Sequence, residues 1–199
     1  MNTVIDTFKS EYEISKSTFI SLIIPLKDKN DVKNILNSIK KEYPKATHYC
    51  YAYSCASLNK SNDDGEPAGT AGKPILEMII KHNLDNVLIV VVRYFGGIKL
   101  GASGLLRAYL EAANRVINIA TMFHEEKRKI YQIEIDYNIN EAFKRYMKEK
   151  EIEILDVQYQ QKIVYKVSAL EINQEDLNNY LKCKISAILL DERIVLVKN

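Results

Sequence analysis

All seven glycine residues of this 199-residue chain lie between Gly65 and Gly104, in two loops at residues 63–73 and 95–104. The loops flank an uninterrupted apolar run, Val87–Val92, that is rich in β-branched residues. A run of this kind predicts a strand that is buried on both faces. Each loop leads into residues with helical spacing of apolar side chains. The sequence therefore predicts two loop-to-helix junctions beside one central strand, which favours a binding site there.

The remaining pattern predicts two domains, residues 1–124 and 125–199, separated near the polar segment 121–128. In the first domain we expect strands at 3–14, 17–26, 46–57 and 86–94, and helices after Asp28, at Pro74 and from an N-cap at Ser103 to Ile119. Leu106 and Leu110 are predicted to belong to the buried stripe of that last helix. The second domain shows a β-α-β-β-α-β order, with an N-cap predicted at Asn173, which is typical of a ferredoxin-like fold.

Composition restricts the classes of function. The chain has 47% hydrophobic and 27% charged residues, as an ordinary globular protein does. Its net charge of +2 argues against a large basic face for sequence-independent nucleic-acid binding. The three cysteines form no paired framework and indicate reduced thiols. Neither a signal peptide nor an apolar run long enough for a membrane span is present, so we expect a cytoplasmic protein without a membrane partner.

The second glycine-containing loop is the first candidate site. Gly96, Gly97 and Lys99 precede the helix that is predicted to begin at Ser103, and free amides at a helix start attract anions. The cations expected to assist are Lys73, Arg93, Lys99 and Arg107. We therefore predict a phosphate or nucleic-acid contact here. The alternative is that the glycines only permit a tight turn and close helix–strand packing.

The first loop supplies an acidic candidate site, Asp63, Asp64 and Glu66. Carboxylates suit Mg²⁺ and acid–base chemistry. The alternative is a turn whose carboxylates form salt bridges with Arg93 or Lys73. His48, Cys50 and Cys55 lack a fourth metal ligand at a usual spacing, so we interpret His48 as a core histidine. No metal and no cofactor is predicted.

Two segments carry a resemblance to a known family. Residues 63–74, DDGEPAGTAGKP, and 91–101, VVRYFGGIKLG, resemble the Impact/YigZ family, and the shared motifs extend over about residues 15–120. The resemblance implies an α+β fold. The first domain would be of the ribosomal-protein-S5-domain-2-like type, and the second would resemble the ferredoxin-like modules of the translocating elongation factor. It also implies a connection with translation, and it supplies no catalytic residues.

Three hypotheses follow for function. The leading one is a nucleic-acid- or ribosome-associated binding protein that acts in regulation of translation, with RNA or the ribosome as its partner. The competing one is a phosphate-handling, Mg²⁺-dependent enzyme that uses the acidic loop Asp63–Glu66. A third assigns a protein partner to the C-terminal domain. The first two both require that the two loops meet in space.

Overall fold

The computed structural model describes all 199 residues, and the chain divides into two compact units. The N-terminal unit contains Met1–His124 together with Val197–Asn199, and the C-terminal unit contains Glu125–Leu196. Both units combine helices with an antiparallel sheet, which confirms the predicted α+β class. None of the helices is both long enough and apolar enough to cross a membrane.

The N-terminal unit contains a five-stranded antiparallel sheet in the order β2-β3-β6-β4-β5. The strands are β1 (Asn2–Thr3), β2 (Phe8–Ile14), β3 (Ser17–Pro25), β4 (His48–Cys55), β5 (Leu58–Asn62) and β6 (Val87–Tyr94). The helices are α1 (Val32–Glu42), α2 (Gly72–Lys81) and α3 (Gly101–Ile119). Strand β1 lies outside this sheet and pairs with Phe123 and His124, which follow α3.

Strand β6 lies at the centre of the sheet and is buried on both faces, as its apolar sequence predicted. Val87, Ile89 and Val91 face the core that is formed with α2 and α3. The alternate residues, Leu88, Val90 and Val92, face a second core that is formed with α1. Because side chains alternate across a strand, burial on both faces requires an unbroken apolar run.

Helix α3 differs from its prediction in two details. Its N-cap position is Leu100, and Ser103 lies within the first turn without capping it. Leu105 and Tyr109 belong to the buried face, whereas Leu106 is 38% exposed. Two adjacent leucines allow two phases of the apolar stripe, and packing against the sheet selects the phase that buries Leu105.

Strand β5 was not predicted. It follows β4 through a tight turn in which Ala56 and Ser57 have φ angles of 49° and 63°. Asn and Gly are the usual residues of such turns, so the sequence of this turn carries no clear signal. The strand itself, LNKSN, is an exposed edge strand with no apolar alternation. The predicted single segment at 46–57 is therefore the first half of a hairpin.

The C-terminal unit has the predicted order of elements. These are β7 (Phe123–Ile135), α4 (Asn140–Glu149), β8 (Glu153–Tyr159), β9 (Ile163–Ala169), α5 (Gln174–Leu181) and β10 (Ala187–Lys198). Phe123 and His124, the first two residues of β7, belong to the N-terminal unit and pair with β1 there. The strand order within the C-terminal unit is β10-β7-β9-β8. Phe143, Tyr165 and Leu177 are fully buried at the centre of its core.

Helix α5 begins with the N-cap that the sequence predicted. The Asn173 side chain accepts hydrogen bonds from the amides of Glu175 and Asp176, each at 3.0 Å. We expect Asn173→Ala to lower the free energy of unfolding by about 1 kcal/mol, because these amides lose their acceptor. Asn173→Asp should retain most of the stability. Urea denaturation of both variants measures the difference, and equal stability of the two would contradict the assignment.

Candidate functional site

The two glycine-containing loops meet around one pocket of about 330 Å³ in the N-terminal unit. Glu66 and Pro67 line it from the first loop, and Phe95 and Lys99 line it from the second. The start of helix α3, Leu100–Ala102, forms a further part of its wall. The convergence of these loops is the geometrical requirement on which the sequence hypotheses depended.

A buried ion pair lies at this pocket. The Arg93 guanidinium donates to Glu66 Oε1 at 2.6 Å, and both side chains are almost fully buried. The Tyr109 hydroxyl from helix α3 donates to the same carboxylate oxygen at 2.8 Å. Burial raises the pKa of Tyr109, so the hydroxyl keeps the proton that it donates. One carboxylate therefore connects strand β6, the first loop and helix α3.

Arg93 is enclosed by aromatic rings as well as paired. Its guanidinium carbon lies 5.4 Å from the ring centres of both Phe19 and Phe95. A second guanidinium nitrogen lies 3.5 Å from Ser17 Oγ, and Nε has no hydrogen-bond partner. Arg93 is 5% exposed. The positive charge of Arg93 is therefore neutralised by Glu66 within the protein. Arg93 forms part of the pocket and not of an exposed cationic surface.

His48 belongs to the same site. Its Nδ1 lies 2.8 Å from the carbonyl oxygen of Asp64. Because a carbonyl can only accept, Nδ1 carries a proton and donates it. The other nitrogen, Nε2, lies 3.9 Å from Glu66 Oε1. His48 stands opposite Arg93 in the pairing of β4 with β6, and this cross-strand register places it in the pocket.

The other two carboxylates of the acidic loop hold the backbone. Asp63 accepts hydrogen bonds from the amides of Gly69, Ala71 and Gly72, at 2.8–3.0 Å. Burial alone raises the pKa of Asp63, but the three amide donors outweigh it, and the pKa lies below its usual value. Asp64 accepts from the amide of Tyr49 at 2.7 Å. Together with the Glu66–Arg93 pair, these contacts agree with the alternative interpretation of the acidic loop, in which its carboxylates hold a turn and form a salt bridge with Arg93.

The predicted second-loop glycines have conformational roles. A Cβ on Gly96 would lie 1.8 Å from the carbonyl oxygen of Lys16, so only glycine allows this close approach. The Gly96 amide donates to Ser17 Oγ at 3.2 Å. Gly97 has a φ of +85°, in the region that glycine favours. Together they direct the chain from β6 past the β2–β3 turn towards Lys99.

Only some of the predicted cations line the pocket in the structure. Lys99 is exposed and lines the pocket, beside a helix start that no side chain caps. Ser103 is exposed in the first turn of α3 but does not line the pocket. Arg107 lines a different groove, with Tyr12, Met78 and Leu110. Lys73 is exposed on the first turn of α2 and lines neither the pocket nor the groove.

Sequence reasoning missed several pocket residues, chiefly His48, Phe95 and Leu105. Phe95 is 45% exposed although it is aromatic and follows a buried strand. Its place directly before Gly96 and Gly97 was the one available signal. Cys50, in contrast, is buried, and burial raises the pKa of its thiol, so it has the properties of an inert core cysteine. No group of three or more His, Cys, Asp or Glu side chains is arranged to hold a metal ion.

Comparison with known proteins identifies the family. Residues 15–117, which include both loops, match the model of the Impact N-terminal domain. The chain is 34% identical over 166 residues to the IMPACT family member YvyE of Bacillus subtilis, covering 82% of this chain and 76% of that protein. The chain belongs to the Impact family.

More distant Impact relatives and a solved structure agree with this assignment. The rabbit protein IMPACT (Oryctolagus cuniculus) is 39% identical over 94 residues, which are 43% of this chain and 29% of that protein. A crystal structure described only as that of a hypothetical protein is 25% identical, with a TM-score of 0.60. It covers 96% of this chain and 98% of its own, so the likeness extends over both units.

The buried ion pair gives a first prediction for the site. We expect Glu66→Gln to lower the free energy of unfolding by about 3 kcal/mol, because Arg93 keeps its charge without a buried counterion. Gln retains an oxygen for the Tyr109 hydroxyl, so the change isolates the charge. Chemical denaturation provides the measurement. Glu111→Gln removes the exposed pair with Arg115 and should cost less than about 1 kcal/mol. Equal effects of the two substitutions would contradict this account.

The Asp63 contacts give a prediction about pH. Because its folded-state pKa is lowered, the ionised Asp63 stabilises the fold above the ordinary aspartate pKa of about 3.9. This contribution is lost as the pH falls through the lowered value. We therefore expect Asp63→Asn to destabilise the protein at neutral pH and the difference from wild type to shrink below about pH 4. Thermal unfolding across pH measures this, and Asp6→Asn, at an exposed position, is the control.

Proposed function

We propose that this Impact family protein is a cytoplasmic binding protein that associates with RNA or with the ribosome and acts in regulation of translation. Its relation to the eukaryotic protein IMPACT supports the connection with translation. The observation that carries the binding role is the single pocket that both glycine-containing loops line, with Lys99 and the start of α3 on one side.

The pocket has the chemistry to receive a phosphate group at its rim. Helix α3 begins at Gly101, and no side chain accepts from the amides of its first turn. Such amides attract an anion through hydrogen bonding and the helix dipole. Lys99 adds a positive charge directly before this helix, and its side chain is exposed. Lys99 and the first amides of α3 are therefore the proposed phosphate contacts, and Gly96 and Gly97 shape the loop that precedes them.

The walls of the pocket favour a ligand that also has an apolar or aromatic part. Phe95 and Ile98 are each 45% exposed on the second loop, and Phe95 lines the pocket together with Pro67. Exposed aromatic rings beside cations are typical of surfaces on which unpaired bases stack. A single-stranded segment of RNA combines a base for Phe95 with a phosphate for Lys99. We therefore favour single-stranded or looped RNA over a regular duplex.

The buried ion pair contributes by shape rather than by charge. Glu66 neutralises Arg93, so the interior of the pocket has little net charge. The guanidinium carbon of Arg93 lies 5.4 Å from the centre of the Phe95 ring, a cation–π contact that helps to position Phe95. Arg107 and Lys73 do not line the pocket and are not among the proposed contacts. The enzyme hypothesis has less support, since Asp63, Asp64 and Glu66 are all engaged by donors within the protein.

We also propose the finer fold assignments that the resemblance implied. The C-terminal unit would be ferredoxin-like, supported by its β-α-β-β-α-β order and by the strand order β10-β7-β9-β8. The N-terminal unit would be of the ribosomal-protein-S5-domain-2-like type. Both types occur in components of the translation apparatus, which agrees with the proposed role.

Binding of labelled single-stranded RNA tests the proposal. We expect Lys99→Ala to weaken binding and to reduce the slope of log affinity against log salt by about 0.7, since one phosphate contact is lost. Phe95→Ala should weaken binding through lost stacking by about 1–3 kcal/mol, with little change in the salt slope. Fluorescence anisotropy across a salt series measures both quantities. Co-sedimentation with ribosomes extends the test to the second partner.

One lysine variant and one arginine variant provide matched controls. Lys73→Ala and Arg107→Ala each remove one exposed cation of the same unit outside the pocket. We expect affinity and salt slope to stay close to wild type in both. If Lys99→Ala and Phe95→Ala bind RNA and ribosomes as wild type does, the pocket is not the binding site.

A further inference from the structure

The last strand of the C-terminal unit has one edge without a partner. Strand β10 pairs only with β7, so the backbone groups along its other edge are not used in the sheet. Five of its apolar side chains are strongly exposed, among them Ile188 at 56%, Leu190 at 48% and Ile194 at 67%. A long, apolar edge strand is a template for pairing with another chain.

We infer that β10 pairs edge to edge with β10 of a second copy of this chain and forms an antiparallel dimer. The two-fold axis of such a pair lies between one residue and the same residue of the second copy, and residues at equal distances from it on the two strands face each other. With the axis at Glu192, Asp191 of one copy faces Arg193 of the other. Symmetry repeats this contact, so the dimer gains two ion pairs.

The same register matches the apolar residues of the strand. Leu190 faces Ile194 of the second copy, and this pair also occurs twice. Further along the strand, Leu189 faces Val195, and Ile188 faces Leu196. Each exposed apolar side chain of β10 named above thus gains an apolar cross-strand neighbour, which is the contact that stabilises sheets.

Neighbouring registers are poorer. An axis at Asp191 would place Leu190 opposite Glu192, and an axis at Arg193 would place Glu192 opposite Ile194. Both bury a carboxylate against an apolar side chain without an opposite charge. Among these three registers the sequence of β10 therefore favours the one centred on Glu192, and the charges at its centre account for the difference.

Two like charges meet on the proposed axis, because Glu192 of each copy faces the other. Each Glu192 carboxylate already forms an ion pair with Lys127 of its own chain. This pairing offsets the repulsion between the two carboxylates. Charges in an edge strand can also prevent association. The opposite signs of Asp191 and Arg193 instead attract a second copy.

Sedimentation velocity of the full chain over a wide concentration range tests this dimer. We expect a monomer–dimer equilibrium in wild type. Arg193→Asp places a carboxylate opposite Asp191 of the second copy and should raise the dimer Kd about tenfold. The double substitution Asp191→Arg with Arg193→Asp recreates both ion pairs in the same register and should return the Kd close to wild type. Arg145→Asp makes the same charge change on helix α4 and should leave the Kd unaltered.

A second variant tests the apolar half of the surface. Residue 190 faces Ile194 of the second copy, so Leu190→Lys places a charge against an apolar side chain and should abolish the dimer. Circular dichroism and thermal unfolding report on the fold of each variant. The positions are exposed, so the monomer should remain folded. A wild-type chain that is monomeric at every concentration overturns the inference. So does a dimer whose Kd is unaltered by Arg193→Asp or is not restored by the double substitution.

Discussion

The ion pair between Glu66 and Arg93 is the interaction on which the rest of the candidate site depends. Arg93 lies near the end of the central strand, Glu66 lies in the first loop, and Tyr109 on α3 donates to the same carboxylate. A charge this deeply buried is tolerated only with a partner of opposite charge. Glu66 in the loop and Arg93 in the strand therefore cannot move independently. This contact therefore fixes the first loop to the strand and to the helix that follows the second loop.

This constraint also bears on the ligand chemistry that we propose for the pocket. An arginine in a glycine-containing motif suggests an exposed phosphate contact, but here its charge is neutralised and its guanidinium supports Phe95. In our proposal, the attraction for a phosphate group comes from Lys99 and the uncapped start of α3, both of which line the pocket. A pocket of this kind discriminates by shape and stacking as well as by charge. That agrees with the net charge of +2, which argues against a large basic face.

Elements with a strong pattern were predictable, and those with a weak pattern were not. The apolar run of β6, the proline at the start of α2 and the Asn173 cap each produced the predicted element. Strand β5 escaped prediction because an exposed edge strand has no apolar side to reveal. The phase of α3 was wrong at Leu106, since adjacent leucines leave the choice to packing. The predicted cap at Ser103 was wrong for a related reason: the loop geometry starts the helix earlier, at Gly101.

The amino-acid sequence by itself determined the family, the α+β class and the two loops beside a buried strand, because each depends on residues that are neighbours along the chain. Only the tertiary structure decided which side chains line the candidate site. His48 lines the pocket because it lies opposite Arg93 in the pairing of β4 with β6. Arg107 does not line it, because the side of α3 that carries Arg107 faces another groove. Cross-strand register and helix orientation arise from contacts between distant segments, and a linear pattern of residue types does not contain them.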